Sequence, residues 1–174
     1  SCVVNNGTCS VAEEYGYPIN TWCVGEVLSF NSLFADNVQF NEDISDWDVS
    51  SVTDMYQMFL YAEAYNQDMS SWNVSSVTEM QGMFSDAQVY NQNMSSWDVS
   101  SVTDMGDMFY GASAFNSDIS SWDVSSVKDM SSMFSYAQAY NRDMSSWDVS
   151  IVTDMGNMFS NAQVYNQDMS LWNV

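Results

Sequence analysis

The sequence predicts an α/β repeat solenoid of about six 25-residue coils, with a parallel sheet on one face and short helices or 3-10 turns on the other. Four columns of residues predict it. Tryptophan recurs at Trp47, Trp72, Trp97, Trp122, Trp147 and Trp172, each 25 residues from the last. Met55, Met80, Met105, Met130 and Met155 run in phase with it, as do Phe59, Phe84, Phe109, Phe134 and Phe159. Asn41, Asn66, Asn91, Asn116, Asn141 and Asn166 form the fourth column. A unit this short cannot bury its apolar side alone, so each coil must pack on its neighbours.

The elements follow in order. Residues 1–18 fall outside the period and hold the only proline, Pro18. They are read as an N-terminal cap. All three cysteines, Cys2, Cys9 and Cys23, lie at this end, which fits a disulfide-stapled cap with the odd thiol either free or paired between chains. With no fourth cysteine and no histidine, a zinc site is a poor fit. The repeat array runs over 19–174. Its first coil is degenerate: Trp22, Val24, Val27, Phe30 and Phe34 precede Trp47, Val49, Val52, Met55 and Phe59 by one period.

Within a coil the apolar positions are Met69, Trp72, Val74, Val77, Met80, Met83, Phe84, Ala87 and Tyr90. Trp72 and Val74 alternate, which predicts a strand with both on one face. From Met80 to Ala87 the spacing becomes three and four, which predicts a short helix or 3-10 turn. Thr78 and Glu79 supply its start signal.

The string Asn-Gln-Asp-Met-Ser-Ser-Trp-Asp-Val-Ser-Ser-Val-Thr-Asp-Met-x-x-Met-Phe runs from Asn141 to Phe159, with Arg142 for Gln and Ile151 for Ser. It resembles the repeat of BspA-like leucine-rich-repeat surface proteins. Close copies cover residues 41–174. The resemblance implies a leucine-rich-repeat-like solenoid, an extracellular or cell-surface location, a link to adhesion and aggregation, and no shared catalytic motif. No lipidation cysteine stands in an anchor context, so membrane anchoring does not carry over.

Composition narrows the partners. The formal charge is −21, from 23 acidic residues against Lys128 and Arg142. Nucleic acid and anionic membrane surfaces need basic residues to displace counterions, so both are excluded as partners. Apolar residues make up 46%, too many for a disordered acidic tail. No apolar run approaches the ~20 residues that span a bilayer. The chain begins at Ser1 rather than Met, as a processed secreted chain would. Catalysis is not expected. Histidine is absent and the carboxylates recur in every coil, whereas an active site needs one place where environments differ.

The fourteen methionines fall in the columns of Met55, Met58 and Met69, and are read as core rather than metal ligands. The asparagine column is read as a cap for backbone groups at a coil corner. Three acidic columns repeat in phase. The first is Asp43, Asp68, Asp118, Asp143 and Asp168, with Asn93 in the series. The third is Asp54, Glu79, Asp104, Asp129 and Asp154, expected at a helix N-terminus where the dipole favours a carboxylate. The second is Asp48, Asn73, Asp98, Asp123 and Asp148, between Trp and Val and therefore outward. Flanked by Ser71, Ser75 and their repeats, it is the candidate ligand strip. Cations suit it, and calcium, which takes oxygen ligands, is the candidate ion; no other cofactor is expected. Asn6, Asn73 and Asn93 stand in glycosylation sequons, so glycans join the candidate partners.

The array stops at Trp172, Asn173 and Val174, in the middle of an expected strand, with Leu171 in place of Ser. An uncovered coil invites another chain. The main expectation is a secreted structural protein that self-associates head to tail into a filament. Its interface would join Trp22 and Val24 to Leu171, Trp172, Asn173 and Val174. The alternative is an adhesin that binds its ligand on the Ser–Asp–Ser strip.

Overall fold

The computed structural model describes residues 18–173. Successive coils lie one on another in register, at an offset of one period. Parallel bridges join Ser29 to Asp54, Asp54 to Glu79, Glu79 to Asp104, Asp104 to Asp129 and Asp129 to Asp154. Each bridge is a single residue long. The expected parallel sheet is therefore absent among the described residues, and so are the expected helices. The one helical element among the described residues is a 3-10 turn over Ile19–Thr21. The α/β, leucine-rich-repeat-like reading is thus overturned.

The physical reason lies in where the amide groups point. In the segment expected to be helical, Met83 N–H donates to the Met80 carbonyl at 3.1 Å and Ala87 N–H to Phe84 at 3.1 Å. These are single turns closed over three residues. Every second N–H group of the segment leaves the coil. Met80, Gly82, Phe84 and Asp86 donate to the carbonyls of Asp104, Gly106, Met108 and Tyr110 in the next coil, at 3.1, 2.8, 2.9 and 2.6 Å. A helix would need those donors for its own carbonyls four residues back. Gly82 at φ 61° and Asp86 at φ 56° sit in the left-handed region and stop any helix from propagating. Most other coils hold this conformation without glycine, at Gln57, Tyr61, Ser132, Tyr136, Asn157 and Asn161. Such residues are strained alone, and the bonds to the next coil hold them there.

The expected strand fails for a related reason. Trp72 N–H closes a turn onto the Met69 carbonyl at 3.0 Å, and the Asn73 side chain captures Ser75 N–H at 3.2 Å. The chain bends twice where a strand would run straight.

The turns explain the spacing of the apolar columns. Ile44 and Trp47, Val49 and Val52, Met55 and Met58, Phe59 and Ala62, and Ala62 and Tyr65 are each joined by such a turn. Both ends of each turn face inward and are buried. The core is the set of these columns stacked along the array. Phe59, Phe84, Phe109 and Phe134 stack at 5.4, 5.8 and 5.7 Å between ring centroids. Trp72, Trp97 and Trp122 stack at 6.4 and 6.5 Å, with planes within 4°. The methionines of all three columns are buried through Met144, as expected of core.

Candidate functional site

The carboxylates of all three acidic columns share one local task. Each accepts the backbone N–H two residues ahead. In the first column Asp68 takes Ser70 N–H at 2.8 Å and Asp143 takes Ser145 N–H at 2.8 Å. In the second, Asp98 takes both the N–H and the hydroxyl of Ser100, at 3.1 and 2.6 Å. In the third, Glu79 takes Gln81 N–H at 2.8 Å and Asp104 takes Gly106 N–H at 2.9 Å. The third column lies on the bridges rather than at a helix N-terminus, so a dipole plays no part in holding it. The side chain offers an acceptor that turns the backbone locally, as Asp and Asn do at turns.

Environment splits the columns. Serine hydrogen bonds hold the carboxyls of Asp48, Asp98, Asp123 and Asp148 below the usual range, the side-chain hydroxyl contributing most. The backbone and side chain of the following serine do the same for Asp43, Asp118 and Asp168. Glu79 and Asp104 are half-buried, and burial raises them, with neighbouring carboxylates of the column adding to the rise.

The residues of the expected ligand strip, Asp48, Asn73, Asp98, Asp123 and Asp148, are all exposed. In Asp48, Asp98 and Asp123 one oxygen accepts both serine bonds. Among the described residues no three acidic, histidine or cysteine side chains converge on a point that could hold a metal ion. Asn73 and Asn93 are exposed; Asn6 lies outside the described residues. So do Cys2 and Cys9, and with them the expected stapling; no cysteine among the described residues is free.

The asparagine column links coils directly. Asn91 N–H donates to Asn66 Oδ1 at 3.0 Å, and Asn116 N–H to Asn91 Oδ1 at 2.8 Å. Gln92 Nε2 reaches the Asn66 carbonyl at 2.9 Å. Arg142 takes that place two coils further on, its Nε 2.8 Å from the Asn116 carbonyl.

The first and last described coils carry matching backbone edges. In the last coil the N–H groups of Met155, Asn157, Phe159 and Asn161 occupy the places that, in every earlier coil, donate onward; none has an acceptor among the described residues. At the other end the carbonyls of Ser29, Asn31, Leu33 and Ala35 occupy the accepting places, and no described residue donates to them. Beside the donor edge lies an apolar depression lined by Met155, Met158, Phe159, Met169 and Trp172. Of the expected interface residues, Leu171 is 76% exposed and Asn173 is exposed. Trp172 is partly buried against Trp147 at 6.4 Å, Trp22 is partly buried against Trp47 at 6.4 Å, and Val24 is buried. Val174 lies outside the described residues.

A groove made of two adjoining depressions was not expected from the sequence. The two share Asp86 and Tyr110; Gly111 and Tyr136 line one, Tyr61 and Asp107 the other, and glutamines flank both. One signal was available: this is where the repeats disagree. The column reads Tyr61, Asp86, Gly111, Tyr136 and Asn161, while the core columns barely change.

The fold and these columns define a repeat protein whose coils are tied together by backbone and asparagine bonds rather than by a sheet. The chain belongs to the family described as "Mycoplasma protein of unknown function, DUF285", whose model matches residues 6–114 and again 90–174. No curated protein and no solved structure matches the chain.

Proposed function

We propose that this chain is a structural, non-catalytic protein of the cell exterior that associates head to tail into a filament or surface fibre. The observation that supports it is the fit of the two backbone edges. Four donors, on Met155, Asn157, Phe159 and Asn161, have no acceptor among the described residues. Four acceptors with the same spacing, on Ser29, Asn31, Leu33 and Ala35, receive no donor from the described residues. The Leu28 N–H and the Thr153 carbonyl complete the pattern in the reverse sense, as Thr103 N–H and the Thr78 carbonyl do at 2.9 Å between internal coils. A contact between unlike ends propagates unless it closes into a ring.

The extracellular placement draws on the repeat's resemblance to BspA-like surface proteins and on the clustered cysteines. A charge of −21 opposes stacking, so screening cations favour it.

Sedimentation velocity over a concentration series, with and without calcium chloride, tests the reading. Growth with concentration is expected, followed by filaments in the electron microscope. Asn157→Pro removes one donor and cannot adopt φ 58°, and Leu171→Asp puts a charge on an exposed apolar position. Both are expected to remain monomeric. A native chain that stays monomeric at the highest concentration in either buffer overturns the proposal.

A further inference from the structure

The groove is built from positions whose backbone ties the coils together but whose side chains do not recur as a column. Asp86 stands outside the three acidic columns, and its carboxylate accepts no hydrogen bond from any described residue. Gly111, at φ 65°, makes room for it: a Cβ there would collide with Asp86 Oδ1. Tyr110 and Tyr136 meet edge to face at 5.5 Å and 61°, forming an aromatic corner beside that carboxylate. Tyr61 and Asp107 close the far side. Tyr61 and Tyr136 are 44% and 45% exposed, so their rings are open to a ligand. Neither Lys128 nor Arg142 lines the groove.

Ring faces carry negative electrostatic potential and attract a cation within about 6 Å. Asp86 and Asp107 add two negative groups. Burial first, then Glu63, raises Asp86 above its ordinary range, as expected of a carboxylate without a counter-charge. Burial first, then the charges of Asp129 and Asp104, raises Asp107 in the same direction.

We propose that the groove between Tyr61, Asp86, Tyr110 and Tyr136 binds a cationic side chain, lysine or arginine, presented by a partner polypeptide. The ammonium or guanidinium group sits against the tyrosine corner and pairs with Asp86. The glutamines at the rim, Gln57, Gln81, Gln88 and Gln138, bond the partner's backbone. This site is independent of the end-coil contact.

N-acetyl-arginine amide and N-acetyl-lysine amide are the probes, followed by NMR of the tyrosine rings. Saturable shifts confined to Tyr61, Tyr110 and Tyr136 are expected. Tyr110→Ala and Asp86→Asn are expected to weaken binding about tenfold, a difference of about 1.4 kcal/mol. Asp123→Asn, in the second acidic column, serves as the control for diffuse attraction and is expected to bind as the native chain does. An equal loss in Asp123→Asn overturns the proposal, since the probes would then only be screening the net charge. So does the absence of tyrosine shifts with either probe. Shifts of the same rings by a neutral oligosaccharide, with none by the cations, would also overturn it. Sedimentation of Tyr110→Ala is expected to match the native chain, which separates failure here from failure of the filament reading.

Discussion

The indole Nε1 of Trp97 donates to the backbone carbonyl of Met69, 28 residues earlier, at 3.0 Å. The same bond recurs from Trp72 to Ile44 at 3.1 Å, from Trp122 to Met94 at 2.9 Å and from Trp172 to Met144 at 2.9 Å. The tryptophan column therefore fastens each coil to the one before it, in addition to filling the core. Trp97→Phe keeps an aromatic ring but loses the donor, and leaves the Met69 carbonyl with the Trp72 N–H as its remaining partner. A loss of about 2–3 kcal/mol is expected from the cavity and the lost hydrogen bond together. Urea unfolding of the variant measures it. A loss below about 1 kcal/mol would mean that the bond contributes little beyond the ring.

The turn role of the second acidic column predicts a chemical pattern. Asp98→Asn keeps the acceptor for Ser100 N–H, as Asn73 does for Ser75 at 3.2 Å and Asn93 for Ser95 at 3.0 Å. It is expected to be neutral or slightly stabilising, because it also removes a charge from a column of like charges. Asp98→Ala removes the acceptor at an exposed site and is expected to cost less than about 1 kcal/mol. Thermal melting of the two variants side by side distinguishes acceptor from charge.

The split in carboxyl environments predicts the pH dependence. Glu79, Asp86, Asp104 and Asp107 are raised in the folded chain. The folded state binds their protons more readily, so stability increases as pH falls from neutrality towards their folded values. Asp43, Asp48, Asp98, Asp118, Asp123, Asp148 and Asp168 are lowered by serine. Their contribution is present above the ordinary carboxylate value, around pH 4. It is lost as pH falls through their folded values. Urea midpoints measured from pH 8 to pH 2 are expected to peak on the acid side of neutrality and then drop. A monotonic decline from neutrality would show that the raised group is too small to matter.

The hydroxyls of Tyr65, Tyr90, Tyr140 and Tyr165 are buried and bond to no group among the described residues. Burial raises the Tyr165 hydroxyl to about 12, with the charge of Asp143 adding to the shift. Phe40 and Phe115 hold the same column without a hydroxyl, stacked on Tyr65 at 5.5 Å and Tyr90 at 6.5 Å. Tyr90→Phe is therefore expected to stabilise the chain by up to about 1 kcal/mol, since an unpaired buried hydroxyl carries a desolvation cost. A clear destabilisation in calorimetry would show that the hydroxyl has a partner in solution.

The sequence by itself determined the period, the stacking offset and the membership of the core. Trp72, Val74, Val77, Met80, Met83, Phe84, Ala87 and Tyr90 are inward as their spacing requires, because every coil must hide the same side from water. It also determined the asparagine column as a backbone cap. The tertiary structure alone decided the conformation between those points. Apolar residues three apart suit one turn of helix and suit a β-turn equally well, so the pattern from Met80 to Ala87 does not separate them. What separates them is the destination of the amide groups of Gly82 and Asp86. Those go to the next coil, a partner 24 residues away that no local propensity encodes. The left-handed residues follow from the same bonds, which hold Gln57 and Tyr61 where isolated side chains would not settle. The groove was invisible for a further reason. Repeats draw attention to what recurs, whereas Tyr61, Asp86, Gly111 and Tyr136 are the residues of one column that do not, and only stacking brings them side by side.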